Sequence, residues 1–298
     1  AADGGGEGEG GGGSPRRAAV DALYNRGVAR GEAGDAKGAL EAYMLARKMC
    51  EEADGLKTAE GAKLLNNIGV TMGQLGDPSG ALRVYAEAQG IREESDTLET
   101  ADGADVLYNI GVATGQLGNA DEEIDAYSKA RQIRERTGTL ETPEGAKLLN
   151  NMGVATMGRK GDPETALEVY CKAYDIRKKT STLVTSDGAD VLYNIGVARG
   201  QCRDLQGALE AYLEARAIRE DTRTLQTPAG ADLLNGLGVV RNQLGDPAAA
   251  LVAYAEAHWI RDFTDTLDTP EGADVLYNIG VAKTQCGDHK GAVAAYEE

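Results

Sequence analysis

The side chains that most often carry out catalysis are scarce in this chain. It holds two histidines, His258 and His289, and four cysteines at 50, 171, 202 and 286. General acid–base catalysis needs a titrating group within hydrogen-bond reach of a partner, and neither histidine has a partner set beside it. No two cysteines form a C-x-x-C pair. Four in 298 residues are too few for a disulfide scaffold, so they are expected to stay reduced. The run GGGEGEGGGG follows no strand and is not a phosphate loop. No G-x-x-x-x-G-K, H-E-x-x-H or EF-hand loop occurs. No catalysis, metal or cofactor is expected. What remains is chemistry of recognition. Asn25, Asn67, Asn109, Asn151, Asn194 and Asn278 share one sequence setting, and an asparagine amide can both donate to and accept from a peptide group.

These asparagines recur because the chain repeats. Each lies two residues before a glycine in LYNRGVA, LNNIGVT, LYNIGVA, LNNMGVA, LYNIGVA and LYNIGVA. A seventh copy, LNGLGVV, has Gly236 in the Asn place. The shared glycines are 27, 69, 111, 153, 196, 238 and 280, spaced by 42 residues with one step of 43. The extra residue falls in MGRKGDP. Each repeat reads as two helices. The first begins after a Thr suited to the N-cap (Thr100, Thr142, Thr227, Thr269). Pro143, Pro228 and Pro270 follow at the first helical position, where the missing N–H costs nothing. The second begins after Asp35, Asp77, Asn119, Asp162, Asp204, Asp246 or Asp288. Ser14 and Pro15 suggest a similar start for the first helix of all.

The second helix carries a tyrosine in every copy: Tyr43, Tyr85, Tyr127, Tyr170, Tyr212, Tyr254 and Tyr296. A small Ala stands four before it in six copies and three after it in six. This row of small, aromatic and small residues lies on one helical face and lets two backbones approach around the ring. Internal glycines in the first helix are read as the other side of that contact. Cys202 and Cys286, which replace Leu75, Leu117 and Leu244, are expected to be small core residues.

Composition supports binding rather than nucleic-acid or membrane contact. A net charge of −17 opposes phosphate backbones and anionic lipid surfaces. No apolar run approaches the ~20 residues needed to span a bilayer, so no direct membrane insertion is expected. A cytoplasmic location is expected, the alternative being an organelle interior after removal of a targeting peptide. Residues 1–14, with eight glycines and three acids, are expected to be a disordered tail ahead of a solenoid over 15–298.

The shared Gly, the turn Gly (Gly34, Gly76, Gly118, Gly161, Gly245, Gly287), the small Ala, the Tyr and the second Ala together resemble the tetratricopeptide repeat. The 42-residue length, the Asn and the closing Ala-x-x-Ile-Arg (AYDIR, ARAIR) resemble the kinesin-light-chain variety. Arg203 departs by replacing the turn Gly in the fifth repeat. The resemblance implies an all-α, right-handed superhelical solenoid of about seven helix-turn-helix repeats, the last one truncated. It implies a non-catalytic scaffold or adaptor holding an extended or helical segment of a partner protein in a concave groove lined by the first helices. The alternatives are a structural subunit of a larger complex and a kinesin-light-chain-like cargo adaptor. End-to-end or complex packing at the C-terminus is also expected, because the pattern stops inside the second helix.

The groove candidates follow from that placement. First helices about 10 Å apart would bring one Asn to about every third residue of a strand rising about 3.3 Å per residue. Asn67, Asn109, Asn151, Asn194 and Asn278 are therefore either peptide clamps or ties between repeats. Three before the shared Gly, Tyr24, Tyr108, Tyr193 and Tyr277 alternate with Asn66, Asn150 and Asn235, an 84-residue super-period. Six before it, Asp21, Lys63, Asp105 and Lys147 alternate, then Asp190, Asp232 and Asp274 do not. Three after it, Arg199, Arg241 and Lys283 form a basic row suited to a carboxylate or to neighbouring acids.

Overall fold

The computed structural model describes residues 15–53 and 55–298. The tail read over 1–14 and the Ser14 cap lie outside the described residues. The chain divides into two compact units, one ending at Thr137 and the other spanning Gly138–Glu298. Among the described residues the secondary structure is entirely helical. The first unit holds α1 (Pro15–Glu32), α2 (Ala36–Glu51), α3 (Ala59–Gln74), α4 (Pro78–Glu94), α5 (Ala101–Gln116) and α6 (Ala120–Arg136). The second holds α7 (Pro143–Lys160), α8 (Pro163–Lys179), α9 (Ser186–Gln201), α10 (Leu205–Asp221), α11 (Pro228–Gln243), α12 (Pro247–Phe263), α13 (Pro270–Gln285) and α14 (His289–Glu297). Within each unit every first helix packs on the second helix of its own repeat, and α3, α5, α9, α11 and α13 also pack on the second helix of the repeat before.

The helix boundaries follow from capping. Thr58, Thr100, Thr142, Thr185, Thr227 and Thr269 each accept the N–H three residues on, at 3.1–3.3 Å. Asp35, Asp77, Asp162, Asp204, Asp246 and Asp288 cap the second helices in the same way. Asn119 occupies that position but makes no side-chain cap bond. The turn inside each hairpin needs a left-handed residue, and Gly34, Gly76, Gly118, Gly245 and Gly287 supply it at φ 79–86°. Arg203 is driven into the same region at φ 63°. The 43-residue step is absorbed by α7, which runs 18 residues where α5 and α9 run 16.

The core is the expected Ala and Tyr face. Tyr43, Tyr85, Tyr127, Tyr170, Tyr212 and Tyr254 are buried with the flanking alanines and with Leu64, Leu65, Leu148, Leu149, Leu233 and Leu234 of the first helices. The shared glycine is the seat of the tyrosine. A Cβ on Gly69, Gly111, Gly153, Gly196 or Gly238 would stand inside the ring of Tyr85, Tyr127, Tyr170, Tyr212 or Tyr254. The ~1 kcal/mol helix penalty of that glycine is offset by letting a ring lie on bare backbone. One expectation is corrected. Cys202 and Cys286 are not core residues: they are the C-caps of α9 and α13, half-buried and exposed respectively. The turn there is open, and Leu75, Leu117 and Leu244 are exposed in the same place.

Candidate interaction surface

The asparagine row forms a hydrogen-bonded lane along the first helices. In the first unit Asn67 Nδ2 donates to Tyr24 Oη at 2.9 Å, and Asn109 Nδ2 donates to Asn66 Oδ1 at 2.9 Å. In the second unit Asn194 Nδ2 donates to Asn150 Oδ1 at 2.9 Å, and Asn278 Nδ2 to Asn235 Oδ1 at 3.0 Å. The residue three before the preceding glycine thus sets the acceptor, a phenol for Asn67 and an amide for Asn109, Asn194 and Asn278. Each bond ties one repeat to the one before it. These side chains, and Asn151, are partly exposed.

The tyrosines three before the glycine lean on the core tyrosines. Ring centroids of Tyr24 and Tyr43, Tyr108 and Tyr127, Tyr193 and Tyr212, and Tyr277 and Tyr296 lie 5.8–5.9 Å apart, the tilted contact that aromatic quadrupoles favour. Tyr108 and Tyr193 are half-buried, while Tyr277 is 60% exposed. Burial pushes the Tyr193 hydroxyl up to about 12, with Asp232 adding to the shift. In the sixth repeat Gly236 stands in the Asn place. Tyr193 therefore lacks the amide donor that Tyr24 receives from Asn67.

The basic row is turned inward. Arg199 Nη1 donates to Gly207 O at 2.9 Å, Arg241 Nη1 to Ala249 O at 3.3 Å, and Lys283 Nζ to Gly291 O at 3.3 Å. These cations fasten the end of the first helix to the start of the second. Each is half-buried.

A second set of cations escaped the sequence reading. Arg92, Arg134, Arg177, Arg219 and Arg261, the arginines of the Ile-Arg signature, are 2–3% exposed. Arg134, Arg219 and Arg261 bond Asp105, Asp190 and Asp232 on the first helix of their own repeat. Arg92 and Arg177 instead reach Asp102 and Asp187 on the next first helix, at 3.3 and 3.0 Å. The signal was in the Asp/Lys alternation six before the glycine. Where Lys63 or Lys147 stands there, the arginine turns to the neighbour.

The second helix α12 carries an exposed aromatic pair. Trp259 and Phe263 stack at 5.4 Å and 9° on α12, and they are 50% and 64% exposed. Among the described residues no group of three His, Cys, Asp or Glu could hold a metal ion. Burial raises the thiols of Cys50, Cys171 and Cys202, disfavouring the nucleophilic thiolate. No described helix is long and apolar enough to cross a membrane.

Helical hairpins of 42 or 43 residues, each sharing its core with the next inside its own unit, define a helical-repeat protein. Models of the tetratricopeptide repeat match residues 104–179 and 273–298. No curated protein matches the sequence. Among solved structures it is similar to BtubC (BKLC) from P. vanneervenii, with 19% identity, TM-score 0.61, and 84% of this chain and 92% of that one covered. It is similar to a putative kinesin light chain with nearly identical repeats from Podosopora anserina, with 14% identity, TM-score 0.57, and 70% and 98% covered. A tetratricopeptide repeat protein from Parabacteroides merdae ATCC 43184 matches with 16% identity, TM-score 0.58, and 94% and 91% covered. The likeness is one of fold, paired-helix repeats of the tetratricopeptide kind, and such a fold implies a scaffold for protein–protein interaction.

Proposed function

We propose that the chain binds a segment of a partner protein along its first-helix face, within the second unit above all. The observation that carries this reading is the break in the lane at Gly236. It leaves the half-buried Tyr193 hydroxyl without an amide, while Tyr277, two repeats on, is exposed. A peptide carbonyl or N–H laid between α9 and α13 would take the missing place. Asn194 and Asn278 flank the gap and are already fixed by their bonds to Asn150 and Asn235. Prior fixation lowers the ordering cost of binding. Asn67 and Asn109 then serve chiefly as ties, and Arg199, Arg241 and Lys283 as half-buried hairpin fasteners. A role as cargo adaptor belongs to this reading as one kind of partner.

The stacked Trp259 and Phe263 favour a second reading, an assembly subunit held through its outer helices. A photo-crosslinking residue at Tyr277 and, separately, at Trp259 distinguishes the two. Crosslinks to one defined partner segment from position 277, lost in Gly236→Asn, support the first-helix face. Crosslinks from 259 alone overturn it in favour of the outer face.

A further inference from the structure

A buried arginine stands at one repeat position in five repeats and is missing in the first. From the second repeat to the sixth, the residue seven after the core tyrosine is arginine. Its guanidinium finds acceptors at three places counted along the chain. Five residues on there is a backbone carbonyl or a hydroxyl: Thr97 O for Arg92, Thr224 O for Arg219 and Thr266 Oγ1 for Arg261, at 3.4–3.5 Å. Ten residues on there is Asp102 for Arg92 and Asp187 for Arg177. Twenty-nine residues back there is Asp105, Asp190 or Asp232 for Arg134, Arg219 or Arg261.

In the first repeat the arginine position is Cys50, and the three acceptor positions are all still present. Gly55 stands five on, Glu60 ten on and Asp21 twenty-nine back. All four line one cavity of about 510 Å³, inside the ~300–1,000 Å³ range of small-ligand sites. Neither Asp21 nor Glu60 is ion-paired among the described residues. Asp21 is close enough to Cys50 to help raise its thiol. Every later repeat that has arginine uses one of these two acids; the first has both and no arginine.

We propose that this cavity receives the arginine side chain of a partner peptide, with Asp21 and Glu60 as its counter-ions and the Gly55 carbonyl as a third acceptor. The chain's own five guanidiniums, each paired with an acid at one of the two equivalent positions, define the chemistry that fits. The volume leaves room for the peptide that carries the side chain. The Gly/Glu-rich residues 1–14 contain no Lys or Arg. Three cationic residues also line the cavity. Arg16 lies 3.9 Å from Glu52. Arg17 and Lys63 are exposed, and their long stems can hold the charge out in water. The site does not depend on the first-helix lane, since none of its acceptors belongs to that row.

The test uses N-acetyl-arginine amide and its neutral isostere N-acetyl-citrulline amide. Alkylation of each cysteine is followed by mass spectrometry and affinity by calorimetry. The arginine compound is expected to slow alkylation of Cys50 while leaving the exposed Cys286 unchanged, and the citrulline compound to do neither. In Asp21→Asn/Glu60→Gln the affinity should fall by about tenfold or more, as for loss of charge-assisted hydrogen bonds. Cys50→Arg should fill the cavity from within, raise Tm and abolish binding. Equal protection by citrulline, or undiminished binding in the doubly neutralised chain, overturns the proposal. If Cys50→Arg fails to fold, the neutralised variant still decides.

Discussion

The fourth and sixth repeats, both in the second unit, differ in where they send the same buried charge. Arg177 at the end of α8 leaves its own hairpin and pairs with Asp187 on α9. Arg261 at the end of α12 stays at home and pairs with Asp232 on α11. The difference lies in one side chain six before the shared glycine, Lys147 in the first case and Asp232 in the second. An own-repeat pair adds to the stability of one hairpin, whereas a pair to the neighbour adds to the coupling between two. In a linear array these are separate terms, and one codon-sized change moves energy from one to the other.

The largest effect should be common to both repeats. Tyr170 and Tyr254 are 2% and 1% exposed and sit on Gly153 and Gly238 in the same way. Tyr170→Ala and Tyr254→Ala should each cost about 3–5 kcal/mol, read as a shift in the urea midpoint. A cost confined to one of them would break the premise that the hairpins share a core. The same phenols govern alkaline stability. Burial pushes Tyr254 from the ordinary 10 up to about 12, and Tyr170 higher still. The folded chain keeps protons that the unfolded chain releases above pH 10, so stability should fall as pH rises through that window. For Tyr254 alone the loss approaches roughly 2–3 kcal/mol by pH 12. Tyr254→Phe and Tyr170→Phe should each flatten the slope, the second to a higher pH.

The arginines separate the repeats. The Asp187 and Asp232 side chains are 57% and 37% exposed, so removing the cation leaves no fully buried charge behind. Arg177→Met and Arg261→Met should therefore cost about 1–3 kcal/mol, below the ~3–5 of a fully buried pair. Their denaturation profiles should differ. Arg261→Met lowers the midpoint at constant m. Arg177→Met weakens coupling to the next repeat and lowers the apparent m as well. Identical m values in the two variants would erase the distinction.

Much of the fold was legible because it is written in caps and period. Thr142 with Pro143, Asp246 with Pro247 and the Tyr and Ala face fix where each helix starts and which side is buried. The surface was harder to read. The Asn amides pair with side chains 43 or 44 residues away, and sequence spacing alone could not choose between a tie and a clamp. Arg199 and Arg241 were read as suited to neighbouring acids, and Arg199 lies 3.7 Å from Asp204, yet both also reach the backbone. Their targets are carbonyls eight residues on, which no residue-type pattern marks. Arg177 and Arg261 passed as part of a signature. Hydropathy places arginine outside, and only the packed corner reveals carboxylates waiting for it.

The finest prediction exchanges the two repeats. Lys147→Asp gives the fourth repeat the acceptor of the sixth. Arg177 then faces two carboxylates, one on its own first helix and Asp187 on the next. In the parent chain Asp187→Asn removes the charged partner of Arg177 and should cost about 1 kcal/mol, the partly exposed acid keeping it near the surface-pair range. In the Lys147→Asp background the same change should cost less, because Arg177 can swing to residue 147. The double-mutant cycle should therefore show a coupling of about 0.5–1 kcal/mol between positions 147 and 187. The m value should stay at that of the parent in Lys147→Asp and fall only when Asp187→Asn is added, as the arginine is drawn wholly into its own hairpin. Additivity within about 0.3 kcal/mol would mean that Arg177 is held in place by its packing rather than by its counter-ion. The residue six before the glycine would then record ancestry rather than set the direction of the bond.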